Sequence, residues 1–269
     1  MEHLFRKWDV IQERIRQARK VYLFFDYDGT LTPIVSRPEL ALCPPEVRKD
    51  LVQLRDSPGV FVAIISGRSL EDLYGLIGVP GITYVGNHGL EIRNPAGIHK
   101  KNLSVGRQKE KTVIANSLKK ILGNLPGILF EDKESILAVH FRLVPKSHHE
   151  KIFQEMEAFT RQWGENWRVT RGKRVFEIQP RVDFHKGKAI RDLLKDVSAP
   201  GLLPFYFGDD QSDEAAFRFL RGKGVTVFIG PPDMPSAGEF FLEDPAEVAE
   251  FLKRLIKVLP EGDSAAAKT

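Results

Sequence analysis

With 269 residues, the chain is about 1.8 times a typical ~150-residue domain, which makes it one large domain or two modest ones with room for a buried core. Its 42% hydrophobic and 28% charged residues, with 22 Gly and 17 Pro, exclude disordered and collagen-like classes, and a single cysteine, Cys43, excludes an internal disulfide. The 40 basic against 36 acidic residues leave a net charge of +4, a near balance that reads as a mixed solvated surface and argues against nucleic acid as a partner.

The first residues interleave charged and apolar side chains without the apolar core of a signal peptide. No stretch approaches the roughly 18 apolar residues of a membrane span. With only one thiol in the chain, the expectation is a cytoplasmic protein with no membrane partner.

Leu4, Trp8, Ile11 and Ile15 recur at helical spacing, which predicts an amphipathic helix over residues 2–19. Residues 21–25, Val-Tyr-Leu-Phe-Phe, form a continuous apolar run that enters Asp26, the pattern of a strand buried on both faces. A helix over 44–56 leads to a second such strand over 60–65, which ends in Ser66-Gly67-Arg68. The middle of the chain reads differently: helix 107–123, strands 127–131 and 135–143, helix 146–163, then strands 167–171 and 173–179. Helices over 187–196, 212–221 and 245–258 then alternate with apolar strands over 205–207 and 225–229.

This order predicts an α/β fold: a parallel Rossmann-like core sheet with helices on both faces, interrupted by an inserted α+β domain. The expected boundaries are 1–104 and 184–269 for the core and 105–183 for the insert. Within the insert, Leu137, Val139, Phe141 and Leu143 alternate with His140 and Arg142, and Lys173, Val175, Glu177 and Gln179 alternate with Arg174, Phe176 and Ile178. Each strand therefore offers one side for helices and one side with polar groups. Residues 104–182 hold 15 Lys and Arg against 9 Asp and Glu, leaving 25 against 27 elsewhere. A basic insert beside an acidic-mouthed core suits an anionic ligand, or the excess is merely solubilising.

The polar clusters lie where the strands end. Asp26 and Asp28 are two apart, so in extended backbone they share a face, and Gly29 permits the following turn. Two such carboxylates suit a nucleophile beside a proton donor and acceptor, although a lone D-x-D-G also occurs as an Asp-rich turn. Asp209 and Asp210 end another strand, followed by Asp213 and Glu214, which taken alone complement a helix dipole. If Asp26, Asp28 and Asp209 converge, each pair about 4 Å apart costs roughly 4 kcal/mol at an effective dielectric near 20. That repulsion calls for a cation, and hard oxygen ligands are the preference of Mg²⁺. Ser66-Gly67-Arg68 reads as an anion cradle before a helix, and Lys186-Gly187 as an ammonium that offsets phosphate charge. His148-His149 lacks zinc spacing and reads as a solvated pair. Together these are the parts of phosphoryl transfer through an aspartyl-phosphate.

D-Y-D-G-T-L (26–31), S-G-R (66–68), K-G (186–187) and G-D-D-Q-S-D-E (208–214), in this order, resemble the four motifs of the haloacid dehalogenase superfamily of phosphatases. T-P-I-V after the first motif, G-N-H-G-L-E-I (86–92) and V-F-E-I-Q-P (175–180) are similar to the trehalose-6-phosphate phosphatases within it. The resemblance implies Asp26 as nucleophile and Asp28 as the acid and base. It implies Mg²⁺ held by Asp26, the Asp28 carbonyl and Asp209, with Asp210 and Asp213 in support. Ser66 and Lys186 would bind the transferring phosphate, flanked by Gly67 and Arg68, and the insert would be a cap that closes on a disaccharide. Candidate sugar contacts are Asn87, His88 and Glu91 from the core, and Arg142, Lys173 and Glu177 from the cap. The third motif departs from the usual pattern with His185 before Lys186, and Lys188 is the alternative phosphate contact.

The implied reaction is Mg²⁺-dependent hydrolysis of trehalose 6-phosphate, a small-molecule sugar phosphate. The alternatives are a phosphatase for sucrose phosphate or mannosylglycerate phosphate, a phosphosugar mutase, or a non-catalytic phosphate-sensing module. On association with the trehalose-phosphate synthase the sequence is silent.

Overall fold

The computed structural model describes residues 1–35, 37–89, 91–100, 105–133, 136–171, 174–181, 185–197 and 200–259. The chain forms two compact units, Met1–Lys100 with Phe184–Thr269, and Lys101–Asp183. In the first unit β1 (Glu2–His3) and a 3-10 turn (Leu4–Lys7) lead into α1 (Trp8–Gln17) and β2 (Lys20–Phe25). There follow α2 (Pro45–Asp56), β3 (Val60–Ile65), α3 (Leu70–Ile77), β4 (Thr83–Gly86), β5 (Glu91–Asn94) and β6 (Gly97–Lys100). The second unit carries α4 (Val105–Leu122), β7 (Leu129–Lys133), β8 (Ile136–His140), α5 (His149–Trp163), β9 (Trp167–Arg171) and β10 (Val175–Pro180). The chain then returns to the first unit with α6 (Lys186–Asp196), β11 (Leu202–Gly208), α7 (Glu214–Leu220), β12 (Val225–Ile229), β13 (Phe240–Leu242) and α8 (Pro245–Val258).

The first unit is built on a nine-stranded sheet, β1-β13-β12-β11-β2-β3-β4-β5-β6. Neighbouring pairs from β1 to β4 are parallel, and β5 and β6 add antiparallel pairs at one edge. Both faces are covered, which is why β2 reads as an unbroken apolar run. Val21, Leu23 and Phe25 point into a cluster with α1, α2, α3 and α8, while Tyr22 and Phe24 point into a second cluster with α6 and α7. Each such side chain contributes about 1.5–3 kcal/mol of burial, and the packing is aromatic: Phe25 stacks on Phe207 at 4.9 Å.

The expected helix over 2–19 is shorter than its apolar stripe suggests. Leu4, Ile11 and Ile15 are buried as predicted, but Glu2 and His3 pair in parallel with Phe240 and Phe241, and the His3 ring accepts the Phe5 N–H. Backbone pairing with a strand far along the chain therefore displaces the first helical turns. The antiparallel edge arises because the 3-10 turn Asn87–Gly89 and the Asn94–Gly97 hairpin each reverse the chain.

The second unit is a four-stranded sheet, β7-β8-β10-β9, with every pair antiparallel. One face packs on α4 and α5 around Leu137, Val139, Phe176, Ile178 and the fully buried Trp167. The expected strand over 135–143 stops at His140. Arg142 and Leu143 turn outward and Leu143 is exposed, while Val144 is buried and donates its N–H to the Phe141 carbonyl. The predicted alternation therefore fails beyond Phe141. The strand expected from 173 begins at Val175, after Arg174 with φ of +70°. His149, expected to be solvated, hydrogen-bonds the Val144 carbonyl and packs edge-on against Phe141. Among the described residues no helix is long and apolar enough to cross a membrane.

Candidate active site

β2 and β11 lie side by side in parallel register, Phe25 against Phe207, so the loops that begin with Asp26 and Asp209 leave the sheet together. The Asp26 N–H still donates to the Phe207 carbonyl at 2.9 Å, and its carboxylate accepts the Tyr27 N–H at 2.7 Å. Gly29 has φ of +84°, and a Cβ at that position would overlap the Asp209 carboxylate. Only glycine meets both demands there. The Thr30 hydroxyl also donates to Asp209, at 3.2 Å.

Lys186 opens α6, and its buried ammonium lies 2.8 Å from Asp26 Oδ2 and 2.6 Å from Asp213 Oδ1. His185 caps this helix, its ring accepting the Lys188 N–H. Asp213 is fully buried in the 3-10 turn that precedes α7. Its Oδ1 accepts from Lys186 and from the Tyr206 hydroxyl. Its Oδ2 accepts the Asp209 and Asp210 N–H groups at 2.9 and 3.0 Å. Asp213 and Glu214 stand in the first turns of the 3-10 turn and of α7, as the dipole reading expects, and Glu214 also holds the Ser236 hydroxyl and the Ala237 N–H. Asp210 is exposed and caps the 3-10 turn through the Ser212 N–H.

Carboxylate oxygens of Asp26, Asp209 and Asp213 all lie within 4.8 Å of one another. Burial pushes the Asp26 carboxyl well above its usual range against the pull of Lys186. Burial, with Asp213 and Asp210 adding to it, pushes Asp209 up to about 6. Burial works against the Lys186 charge as well, but Asp26 and Asp213 outweigh it and hold the ammonium above the ordinary lysine value. Three carboxylates against one ammonium leave a surplus of negative charge in a desolvated space. An all-oxygen donor set with that surplus fits a hard divalent cation such as Mg²⁺.

The Asp28 side chain stands outside this cluster. Arg68 grips it with both arms, Nε to Oδ2 at 2.6 Å and Nη2 to Oδ1 at 2.5 Å. The expected convergence therefore holds for Asp26 and Asp209, with the Asp213 carboxylate where Asp28 was expected. The extended backbone ends at Phe25, and the Gly29 turn, closed by its N–H on the Thr32 carbonyl, redirects Asp28. Ser66 is buried, and its hydroxyl accepts the Arg68 N–H at 3.2 Å, with Gly67 exposed between them. Asn87, with φ of +49°, donates from its backbone to the Arg68 carbonyl and from its side chain to Glu91. Glu91 also accepts the N–H of Leu70 at the start of α3. Asn87 and Glu91 thus brace the loop after β3, and His88 shares the 3-10 turn of Asn87.

Of the insert residues, Glu177 lies half-buried on β10, and Arg142 is exposed on the turn after β8. His140, expected to face the same way as Arg142, pairs with Glu131 at 2.8 Å. Lys173 lies outside the described residues. Tyr206 escaped the sequence reading because it sits inside an apolar run. A tyrosine in a strand buried on both faces is itself a signal, since its hydroxyl needs a partner.

Residues 24–246 match the family described as trehalose-phosphatase. A trehalose-phosphate phosphatase of Mycobacterium ulcerans is 38% identical over 244 residues, 88% of this chain and 62% of that protein. The chain thus spans less than two thirds of that relative's length. The crystal form 2 structure of Aspergillus fumigatus trehalose-6-phosphate phosphatase has a TM-score of 0.66 at 27% identity, covering 96% of this chain and 99% of that one. A haloacid dehalogenase-like hydrolase from Bacteroides thetaiotaomicron shares the fold, with a TM-score of 0.63 at 18% identity over 88% of this chain and 100% of that one. By its motifs, its sheet and these matches, the chain belongs to the trehalose-phosphatase family, on a haloacid dehalogenase-like fold.

Proposed function

We propose that this chain is a Mg²⁺-dependent phosphatase that hydrolyses trehalose 6-phosphate to trehalose and phosphate. The observation that carries the reading is a buried carboxylate, Asp26, held by Lys186 beside two further carboxylates in a family whose described relatives act as trehalose-phosphate phosphatases. Asp26 attacks phosphorus, the bond from phosphorus to the sugar oxygen breaks, and Asp28 gives that oxygen its proton. Water then loses a proton to Asp28 and attacks phosphorus, and the bond to Asp26 breaks. Lys186 and Ser66 bind the phosphoryl oxygens. Arg68 and Asp28 are paired before substrate arrives, so an anionic phosphate that draws Arg68 to itself frees Asp28 to take up from solvent the proton it gives to the leaving oxygen.

The Asp26 carboxylate, the Asp28 carbonyl and Asp209 would hold Mg²⁺, with Asp210 and Asp213 in support. Bound there, the ion supplies positive charge to a phosphoryl group that carries negative charge on every oxygen. Specificity for the disaccharide is assigned to Arg142, Lys173 and Glu177 of the insert, and to Asn87, His88 and Glu91. The single buried thiol of Cys43 suits a reducing cytoplasm.

A phosphate-release screen over sugar phosphates, with Mg²⁺ and with chelator, tests the reading. Trehalose and phosphate appearing together from trehalose 6-phosphate, and neither after chelation, supports it. Equal release from sucrose phosphate, or isomerised sugar phosphate without release, sinks it.

A further inference from the structure

Asp213 carries an unusual load. It offers no surface to water, yet its two oxygens accept from an ammonium, a phenol and two backbone N–H groups. The two N–H groups belong to Asp209 and Asp210 and hold Oδ2 in place. At the other end Oδ1 takes its donors from Lys186 and from Tyr206. Its ring is locked in the middle of β11, between Phe24 and Thr226 in register and edge-on to Phe217 at 5.6 Å, with no exposure. A phenol anchored in a packed sheet is a rigid donor, whereas the Lys186 chain that shares Oδ1 has several rotatable bonds.

We propose that Tyr206 is a positioning residue for the phosphoryl-transfer site, acting through Asp213. Its hydroxyl sets the tilt of the Asp213 carboxylate, and so sets together where the Lys186 ammonium meets Asp26 and where the Asp209 backbone presents its side chain. The proposal rests on the phosphatase reading for its chemistry, but not on the identity of the sugar. A positioning role of this kind makes the residues act as a unit, so their removal is strongly non-additive.

Tyr206→Phe removes one oxygen from a packed site. Tyr22→Phe is the matched control: Tyr22 lies in the same buried cluster, on the neighbouring strand, where Thr83 and Asp196, and not Asp26, Asp209 or Asp213, act on its hydroxyl. Turnover is measured on trehalose 6-phosphate and on p-nitrophenyl phosphate, a generic phosphomonoester, and Mg²⁺ affinity is measured by calorimetry without substrate. Tyr206→Phe is expected to lower kcat about 10-fold with KM within about 2-fold, and to weaken Mg²⁺ binding about 10-fold. Tyr22→Phe is expected to lower the melting temperature alone. Adding Asp213→Asn to Tyr206→Phe is expected to cost no more than Asp213→Asn does by itself. If Tyr206→Phe behaves as Tyr22→Phe does, or if the Tyr206 and Asp213 effects multiply as independent sites do, the proposal is overturned. If Tyr206→Phe does not fold, Tyr206→Met, which also lacks the donor, is put through the same comparison. A protein that hydrolyses p-nitrophenyl phosphate but not trehalose 6-phosphate would refute the substrate reading and leave the three readouts on Tyr206 intact.

Discussion

Both units bury a lysine, and the two lysines could hardly be placed more differently. Lys111 in the insert is almost completely covered, but the side chain of Asp132, with which it pairs, is 58% exposed. Lys186 in the first unit is equally covered, and its partners Asp26 and Asp213 are only 9% and 0% exposed. A buried charge whose partner reaches water has only one desolvated member, because the partner keeps its solvation. A buried charge with buried partners is a different object: each member depends on the others for the solvation it has lost. Sheet type makes the difference. The parallel sheet is covered on both faces, so its carboxylates and the Lys186 ammonium gather where the strands end, and those groups arrive dry and crowded. The antiparallel sheet packs one face on α4 and α5, and Asp132 stands on that face, in register with Leu137 but on the edge strand β7, where its carboxylate reaches water.

The largest test of this contrast is Asp26→Asn. The amide keeps the shape and hydrogen-bonding reach of the carboxylate but removes the attacking oxygen anion. Phosphate release should fall by on the order of 10⁴-fold or more, with the fold intact by circular dichroism. Near-normal turnover would make the carboxylate cluster a structural feature like the Lys111 pair.

Gly29→Ala comes next. The added methyl overlaps the Asp209 carboxylate at a φ that alanine resists, so either the loop or Asp209 must move. The backbone cost alone is about 1 kcal/mol, and the displaced ligand should weaken Mg²⁺ binding by roughly 10- to 100-fold. Calorimetric titration with Mg²⁺ reads this directly, and unchanged affinity would show that Asp209 has no part in holding the ion.

The positions of Asp26, Asp209 and Lys186 at strand ends and a helix start were legible in the sequence because each follows or opens a segment with strong local periodicity. β3 and α8 fall on the expected residues for the same reason. What escaped depends on partners far along the chain. β1 exists only because Phe240 and Phe241 lie beside Glu2 and His3, and no pattern in two residues announces that. The pairing of Arg68 with Asp28 spans 40 residues and is set by where two loops meet. Arg142 was expected on a strand because its neighbours alternate, but alternation does not reveal where hydrogen bonding stops. Tyr206 was hidden for the opposite reason: its apolar neighbours made the strand so clear that the one hydroxyl in it went unread.

A smaller effect concerns pH in the metal-free protein. Burial raises the Asp26 and Asp213 carboxyls and lifts Asp209 to about 6, from the ordinary carboxyl value near 4. The folded state then binds protons more readily than the unfolded chain, so this cluster destabilises the fold above about pH 6 and the penalty fades as pH falls toward 4. The chelated protein should melt a few degrees higher at pH 5 than at pH 7, and Mg²⁺ at pH 7 should restore the difference. A melting temperature that falls steadily on acidification, with or without Mg²⁺, would place the surplus negative charge elsewhere.

The smallest effect is expected from Lys111→Met, and it is the sharpest measure of the contrast. Removing Lys186 would leave Asp26 and Asp213 facing each other in a dry site, which is the costly way to break a buried pair, about 3–5 kcal/mol. Removing Lys111 leaves Asp132 largely in water, and methionine on α4 takes the space of the lysine stem. Chemical denaturation should show a loss of about 1 kcal/mol or less. Turnover of p-nitrophenyl phosphate, a substrate with no sugar to recognise, should be unchanged. A loss as large as that expected at Lys186 would mean that exposure of one partner does not protect a buried pair, and the distinction between the two lysines would rest on their chemistry alone.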